Sequence, residues 1–164
     1  MFIRSAGERD LAAIRALLVE TWHATYDAIY GEERVTAITD EWHSIPSLRA
    51  RLSRPNSEFV VVDDGKRLCA MAFAAATSDG RTVLLQQLYV HPDCQRRGIG
   101  HMLLEELEGC FPDAHRIRLE VEPENAPAIA FYKAHGFVLN ADAVNKEKGK
   151  PEVGVHTFEK ALLG

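Results

Sequence analysis

Apolar residues recur every three or four positions in the first part of the chain: Leu11, Ile14, Leu17, Leu18 and Trp22. This spacing places them along one face of an α-helix. A short strand is predicted before it, at Met1 to Arg4, and Ser5-Ala6-Gly7-Glu8 offers a capping-box start. A second helical region of lower regularity is predicted over Val35 to Leu52, with a break near Pro46.

The pattern becomes strand-like in the middle of the chain. The run Phe59-Val60-Val61-Val62 and the run Leu68 to Ala76 are predicted to form a hairpin around the turn Asp63-Asp64-Gly65-Lys66. A second turn at Ser78-Asp79-Gly80-Arg81 leads into a strand over Thr82 to Val90. Three consecutive antiparallel strands are therefore expected here.

Helical and strand-like patterns then alternate. A helix is predicted over Ile99 to Cys110, and the strand Arg116 to Val121 follows it. Asn125 is predicted to cap a further helix that ends at Gly136. Because strand, helix and strand follow one another, the fourth and fifth strands are expected to pair in parallel.

Two strands are predicted to close the chain, at Phe137 to Ala141 and Val153 to Leu162. The polar segment Asp142 to Pro151 joins them and is predicted to be a mobile loop. Strands near the C-terminus with an unpaired edge make a homodimer plausible.

Composition restricts the class of protein. A chain of 164 residues is long enough for one domain, expected over residues 1–164, with an ordinary hydrophobic core. The formal net charge of −5 and the scattered basic residues argue against nucleic-acid binding. Three widely spaced cysteines and the lack of a membrane-length apolar run favour a cytoplasmic protein. The seven histidines show no metal-ligand spacing, so no metal is expected.

The turn Gln95-Arg96-Arg97-Gly98-Ile99-Gly100 is the strongest functional signal in the chain. It lies between a predicted strand and a predicted helix, where unpaired backbone N–H groups and the helix dipole favour an anion such as a phosphate. It has neither the Lys-Ser/Thr pair of a Walker loop nor the third glycine of a dinucleotide fingerprint. Two glycines alone are equally typical of a plain turn.

Two longer motifs favour a phosphate site over a plain turn. The segment Leu88 to Gly100 resembles the fourth strand, acyl-CoA pyrophosphate turn and third helix of the GCN5-related N-acetyltransferases (GNATs). The segment Leu119 to Phe137 is similar to the fifth strand and fourth helix of that family, in the right order and at the right spacing. The resemblance implies an N-acetyltransferase that uses acetyl-CoA and no metal, acting on an amine-bearing small molecule or peptide.

The resemblance also implies a fold and a donor site. The expected fold is of the α/β (α+β) class, with a mixed, mostly antiparallel sheet of about seven strands, flanked by about four helices. Strands four and five are expected to splay apart, with a bulge in strand four, so that the pantetheine arm can pair with strand backbone. The residues expected to bind acetyl-CoA are Leu88, Tyr89, Val90, Gln95, Arg96, Arg97, Gly98, Ile99, Gly100, Asn125, Ala128 and Phe131.

Acyl transfer to an amine needs a proton donor for the departing thiolate and a base for the amine. Tyr132 occupies the tyrosine position of the family's fourth-helix motif and is the predicted acid, with a core aromatic as the alternative. Glu120 matches the base position of ribosomal-protein-alanine acetyltransferases in the family, and Glu122 on the same strand face is its rival. Relatives often carry an acidic residue on the fourth strand, where this chain has Gln86 and Gln87.

Trp22, Tyr26 and Tyr30 recur at four-residue helical spacing and resemble the family segment that borders the acceptor cleft. Such a series is more often part of a core than of a binding wall, and both interpretations stay open here. Two other functions also stay open: a non-catalytic acetyl-CoA-binding or sensing module, and an enzyme that acetylates protein N-termini or lysines.

Overall fold

A twisted sheet runs through the computed structural model, which describes residues 1–140 and 155–162. Within those residues the sheet has seven strands in the order β1-β2-β3-β4-β5-β7-β6. The strands are β1 (Phe2–Ser5), β2 (Ser57–Asp63), β3 (Leu68–Ala76), β4 (Thr82–Val90), β5 (Arg116–Val121), β6 (Val138–Leu139) and β7 (His156–Ala161). β4 and β5 are parallel and the other neighbours are antiparallel, which confirms the predicted mixed sheet.

Five α-helices are present in the described part of the chain, one more than predicted. They are α1 (Leu11–Tyr30), α2 (Glu32–Trp42), α3 (Ile45–Leu52), α4 (Ile99–Gly109) and α5 (Ala126–Ala134). The additional helix arises because the region predicted over Val35 to Leu52 is two helices. The Ser44 hydroxyl accepts a hydrogen bond from the Ser47 backbone N–H at 3.2 Å and so starts α3, with Pro46 in its first turn, where no intrahelical N–H is needed.

The helices cover both faces of the sheet. Side chains of β3 alternate between them, so that Ala70 and Ala72 pack towards α4 while Met71 and Phe73 pack towards α1 and α3. All four side chains are fully buried. This alternation separates a core on the α4 and α5 side from a core on the α1 side, and the functional cleft connects the two.

A bulge and a splay interrupt the sheet at its centre. Phe73 pairs with Gln87 while its neighbour Ala74 pairs with Leu85, so Gln86 is an extra residue in β4. β4 pairs with β5 only over Thr82–Leu84, and the rest of β4 diverges from β5. The bulge and the splay implied by the family resemblance are both confirmed.

The closing strands are shorter in the described residues than predicted. Phe137 lies outside β6, because Gly136, at a φ of +92°, turns the chain after α5 and directs the Phe137 side chain into the core. The predicted loop Asp142 to Pro151, Ala141 and the predicted start of β7 at Val153 lie outside the described residues. In residues 1–140 and 155–162, no helix combines the length and the apolar character that crossing a bilayer requires.

Candidate active site

A cleft of about 1210 Å³ occupies the gap between β4 and β5. It reaches from the α4 and α5 face of the sheet to the α1 face, and side chains of all three helices line it. Its walls include most of the residues predicted to bind acetyl-CoA. The splay therefore opens a passage between the two faces of the sheet.

The predicted phosphate turn lies at one end of this cleft. Gly98 is the N-cap of α4 with a φ of +74°, and no side chain caps that helix end. The first N–H groups of α4 therefore have no intrahelical partner and are available to an anion. Exposed Arg96, at a φ of +66°, borders the cleft, whereas Gln95 donates a hydrogen bond from Nε2 to the Val90 carbonyl at 3.2 Å.

Gly100 has a packing role that the sequence did not indicate. A Cβ atom at this position would lie 3.0 Å from Cε1 and 3.1 Å from Cζ of Phe131 on α5. A side chain at Gly98 would meet nothing within 4 Å, although its positive φ still favours glycine. Gly100 thus lets α4 and α5 approach each other at the cleft, whatever it also contributes to a bound phosphate.

We expect Gly100→Ala to destabilise the protein by roughly 1–3 kcal/mol and to raise the KM for acetyl-CoA, because Phe131 must move. Gly109→Ala is the matched control, since Gly109 is in the same helix with nothing within 4 Å of its Cβ position. That change should be neutral or stabilising by up to about 1 kcal/mol. Urea denaturation and acetyl-CoA titration measure both effects; equal behaviour of the two variants would contradict the packing role.

The free edge of β4 supplies backbone donors to the cleft. The His91 N–H donates to the Cys69 carbonyl at 2.8 Å, so Tyr89, two residues earlier, also faces β3. In an antiparallel ladder the intervening residues direct their backbone polar groups away from that partner. The N–H groups of Leu88 and Val90 therefore point into the gap, where an extended ligand can pair with them.

Tyr132 lies on the α5 side of the cleft with 9% of its surface exposed. Its ring packs edge-on against Phe131 and Phe137, at centroid distances of 5.2 and 5.4 Å. Burial raises the pKa of the phenol above its ordinary value. The hydroxyl is protonated at neutral pH, as in an ordinary tyrosine, so it has a proton to donate, while burial also makes it a weaker acid.

Glu120 and Glu122 belong to the wall of the cleft opposite Tyr132. Leu119 and Val121 face the α4 side, so the alternation of β5 directs Glu120 to the α1 side. Glu122 follows β5 and accepts a hydrogen bond from the Tyr26 hydroxyl at 2.8 Å. Both carboxylates line the cleft.

Asn125 joins this wall to α5. Its Oδ1 accepts from the Ala128 N–H at 3.3 Å, as a helix cap, and its Nδ2 donates to the Tyr26 hydroxyl at 3.1 Å. Both ends of the amide are thus engaged within the protein. Asn125, Ala128 and Phe131 all line the cleft.

We expect Asn125→Ala to cost about 1 kcal/mol or more in unfolding free energy, because both the cap and the bond to Tyr26 are lost. Asn125→Ser retains a capping hydroxyl but not the Nδ2 donor, so it should recover most of the stability. Urea denaturation of the two variants separates the contributions. Equal losses would show that the cap contributes little.

The aromatic series on α1 divides between core and cleft. Trp22 and Tyr26 are 5% and 3% exposed, pack with their ring centroids 4.5 Å apart, and line the inner wall of the cleft. Tyr30 stacks on Tyr26 at 5.6 Å but is outside the cleft, beside Arg34. The structure therefore brings two of the three rings to the predicted acceptor side.

Sequence reasoning missed several polar residues of the cleft. His101 Nδ1 and His135 Nε2 lie 3.0 Å apart, although the two residues are 34 positions apart in the chain. Thr21 and His43 also line the cleft. Residue spacing gave no signal for these contacts, which form only when the helices pack. Across the described residues, no three potential metal-ligating side chains converge.

The sequence profile of the acetyltransferase (GNAT) family matches residues 12–137. The chain belongs to this GNAT family. Peptidyl-lysine N-acetyltransferase YiaC of Escherichia coli is 33% identical to this GNAT protein over 138 residues, 82% of each chain. Spermidine N(1)-acetyltransferase of Thermoplasma acidophilum is 29% identical over 145 residues, covering 82% of this chain and 86% of the other.

The GNAT fold is shared with solved structures. The PaiA N-acetyltransferase of Thermoplasma acidophilum, solved in complex with coenzyme A, has a TM-score of 0.84 at 24% identity and covers 98% of both chains. Family membership confirms the predicted class of enzyme, an N-acetyltransferase with acetyl-CoA as donor.

Proposed function

We propose that this GNAT protein transfers an acetyl group directly from acetyl-CoA to the primary amine of a small molecule, within a ternary complex. The observation that carries the proposal is the passage between β4 and β5. The helix α4 N-terminus and Tyr132 are on one side of the sheet, and the carboxylates of Glu120 and Glu122 are reached on the other. Two substrates entering from opposite faces would meet in the gap without a covalent enzyme intermediate.

The donor would enter from the α4 side. Its pyrophosphate would bind the backbone N–H groups of Arg97, Gly98, Ile99 and Gly100, with help from Gln95 and Arg96. Its pantetheine arm would pair with the backbone of Leu88 and Val90, beside Tyr89. The thioester would then lie within the splay, where those N–H groups can also polarise its carbonyl.

The chemistry would be one substitution at the thioester carbon. A primary amine with a pKa of about 10 is almost fully protonated at neutral pH, so Glu120 would remove one proton, through water. The amine nitrogen then attacks, the new N–C bond forms, the C–S bond breaks, and the nitrogen loses its second proton, which would return through water to the Tyr132 oxygen. Tyr132 would donate its proton to the thiolate. Glu122, held by Tyr26, is the alternative base.

A packed wall on the α1 side of the cleft, where Trp22, Tyr26 and His43 are each at most 5% exposed, supports a small amine as the acceptor. A cytoplasmic location and a homodimer stay predictions. Exposed Val138 and Leu139 on the edge strand β6 support the homodimer. Light scattering of the purified protein tests it.

Thiol release from acetyl-CoA, measured against polyamines, amino acids, aminoglycosides and short peptides, tests the proposed function. Turnover with a small amine supports it. Turnover confined to peptides would instead identify a protein-modifying enzyme. A rise in melting temperature with acetyl-CoA but no thiol release with any amine would identify a binding or sensing module.

A further inference from the structure

One tyrosine of α1 joins both ends of the turn between β5 and α5. The Tyr26 hydroxyl lies 2.8 Å from Glu122 Oε2 and 3.1 Å from Asn125 Nδ2, although these residues are 96 and 99 positions away in the chain. A backbone hydrogen bond from the Asn125 N–H to the Glu122 carbonyl, at 3.0 Å, closes the turn itself. Tyr26 is 3% exposed. Its hydroxyl is therefore a buried junction between the acceptor wall and the start of the helix that carries Tyr132.

The direction of each hydrogen bond at this junction is determined by the groups that form it. A backbone N–H can only donate, so the bond from the Ala128 N–H, at 3.3 Å, places the amide oxygen of Asn125 at the start of α5. The amide nitrogen of Asn125 then donates to the Tyr26 oxygen. The one hydrogen of the Tyr26 hydroxyl is left for the Glu122 carboxylate. The junction is thus an ordered series of donors that ends on a carboxylate.

Half of the Glu122 carboxylate is left available. Its Oε1 atom has no hydrogen bond, and its charge no ion pair, to any residue that the structure describes. The side chain is half-buried and lines the cleft. Its neighbours Tyr26, Tyr30 and Tyr89 are phenols whose pKa is raised by burial and by this negative charge, so they stay neutral. A partly buried carboxylate among neutral aromatic rings favours a cation, and an organic ammonium group fits both.

The same contacts change the role expected for Tyr26. The sequence pattern predicts it as part of the acceptor wall. Its hydroxyl, however, uses its hydrogen on Glu122 and accepts from Asn125, so it acts on a ligand through Glu122. Because Asn125 also caps α5, the Glu122 carboxylate is held in a fixed relation to Tyr132 on that helix.

We propose that Tyr26 is a positioning residue: held by Asn125, its hydroxyl fixes Glu122 so that Oε1 binds the ammonium group of the acceptor. This inference rests on the proposed function, because that ammonium is the protonated form of the amine to be acetylated. Glu122 would receive the acceptor as a cation, and Glu120, two residues earlier on the same wall, would take its proton. Glu122 is then a binding group and Glu120 the base.

Tyr26→Phe tests the positioning role, because it keeps the ring that packs on Trp22 at 4.5 Å and removes only the hydroxyl. The probes are propylamine, as the simplest primary amine, and the amine with the fastest thiol release. We expect the KM for both amines to rise about 10-fold, the lower range for a hydrogen bond to a charged group. The kcat and the KM for acetyl-CoA should stay unchanged. A bond that only stabilised the fold would not single out the amine.

Tyr30→Phe is the matched control. Tyr30 is one turn further along α1 and stacks on Tyr26 at 5.6 Å, but its hydroxyl has no hydrogen-bond partner in the described part of the chain. It lies outside the cleft, so all kinetic constants should stay at their wild-type values. Equal effects of the two variants, or a loss in Tyr26→Phe that extends to the KM for acetyl-CoA, would overturn the inference while the proposed function stands.

Two further variants keep the test independent of the stability of Tyr26→Phe. Asn125→Ser retains a capping hydroxyl and removes the donor to Tyr26, so the KM for the amine should rise about 3-fold. In a double-mutant cycle, Glu122→Gln alone should raise the same KM, and adding Tyr26→Phe to it should have no further effect, because the charge that Tyr26 positions is gone. Independent, additive losses would show that Tyr26 does not act through Glu122.

Binding without turnover separates this inference from the proposed function. In NMR titrations of the CoA-loaded protein with propylammonium chloride, the wild-type protein and Tyr30→Phe should bind alike, and Tyr26→Phe and Glu122→Gln more weakly. This pattern without thiol release from any amine would reject the proposed function and retain the ammonium site. Equal binding by all four proteins, or none, would reject the site.

Discussion

Replacing Tyr132 by phenylalanine is expected to lower kcat by a factor of about 100 to 1000, the usual contribution of a general acid. The thiol of CoA has a pKa of about 8.5, so the thiolate leaves more readily when a proton is delivered to it. Burial raises the pKa of the Tyr132 phenol, and the hydroxyl therefore carries its proton across the range of the assay. The variant removes that proton and keeps the ring that packs on Phe131 and Phe137.

Single-turnover acetyl transfer, measured with saturating acetyl-CoA, isolates this step from product release. The affinity for CoA should stay near that of the wild-type protein. Phe137→Leu is the packing control: it disturbs the ring beside Tyr132, at 5.4 Å, and leaves the hydroxyl in place. Phe137→Leu should lower the free energy of unfolding and should have only a small effect on kcat. An unchanged kcat for Tyr132→Phe at every pH would eliminate this acid.

The central strands could be predicted because their signals are local. β4 and β5 span Thr82–Val90 and Arg116–Val121, as the apolar pattern and the flanking turns indicate. The α5 cap at Asn125 and the turn at Gly136 depend equally on residues within a few positions. Such elements can be assigned before any long-range contact is known.

The bulge in β4 is a weaker signal that residue patterning alone did not resolve. Gln86 and Gln87 are two consecutive polar residues inside an apolar strand, and they interrupt its alternation where the extra residue occurs. The family resemblance implied the bulge, but the residues did not say which position it takes. Neither glutamine can act as a base, so the side chains at the bulge supply no proton acceptor of their own.

Contacts between distant residues were beyond prediction. His43 contacts Trp22, and Arg51 lies beside His43, only because the helices pack together, and no spacing rule relates these positions. The need for glycine at position 100 was equally hidden, since Phe131, the ring that a side chain there would meet, belongs to another helix. The donor side of the site is a local motif and can be found from sequence. The acceptor side is assembled by tertiary packing.

The donor side can be found from sequence and the acceptor side cannot, because the two substrates require different kinds of binding site. A pyrophosphate is held by backbone N–H groups at a helix start, which a short Gly-containing turn is sufficient to create. An acceptor is selected by side chains that must converge from several elements with their polar groups satisfied on binding. Within this cleft, the donor wall can stay constant while the acceptor wall sets specificity.

Glu120→Gln is expected to lower kcat/KM by a factor of about 100 to 1000 at pH 7, and the loss should shrink as the pH rises. An amine with a pKa of about 10 is only about 0.1% neutral at pH 7, and each pH unit raises that fraction about tenfold. A variant without the base therefore recovers as the amine loses its proton to water, whereas the wild-type enzyme gains less. The ratio of the two rates should approach one near pH 10.

The pH dependence also distinguishes Glu120 from its rival. Glu122→Gln still accepts the hydrogen bond from the Tyr26 hydroxyl, so it should give a smaller loss that is constant with pH if Glu122 only shapes the wall. Glu58→Gln, a carboxylate on β2 outside the cleft, controls for the change in net charge. A pH-dependent loss in Glu122→Gln, with Glu120→Gln unaffected, would transfer the role of base to Glu122. A constant loss in both variants would mean that the amine is deprotonated before it binds.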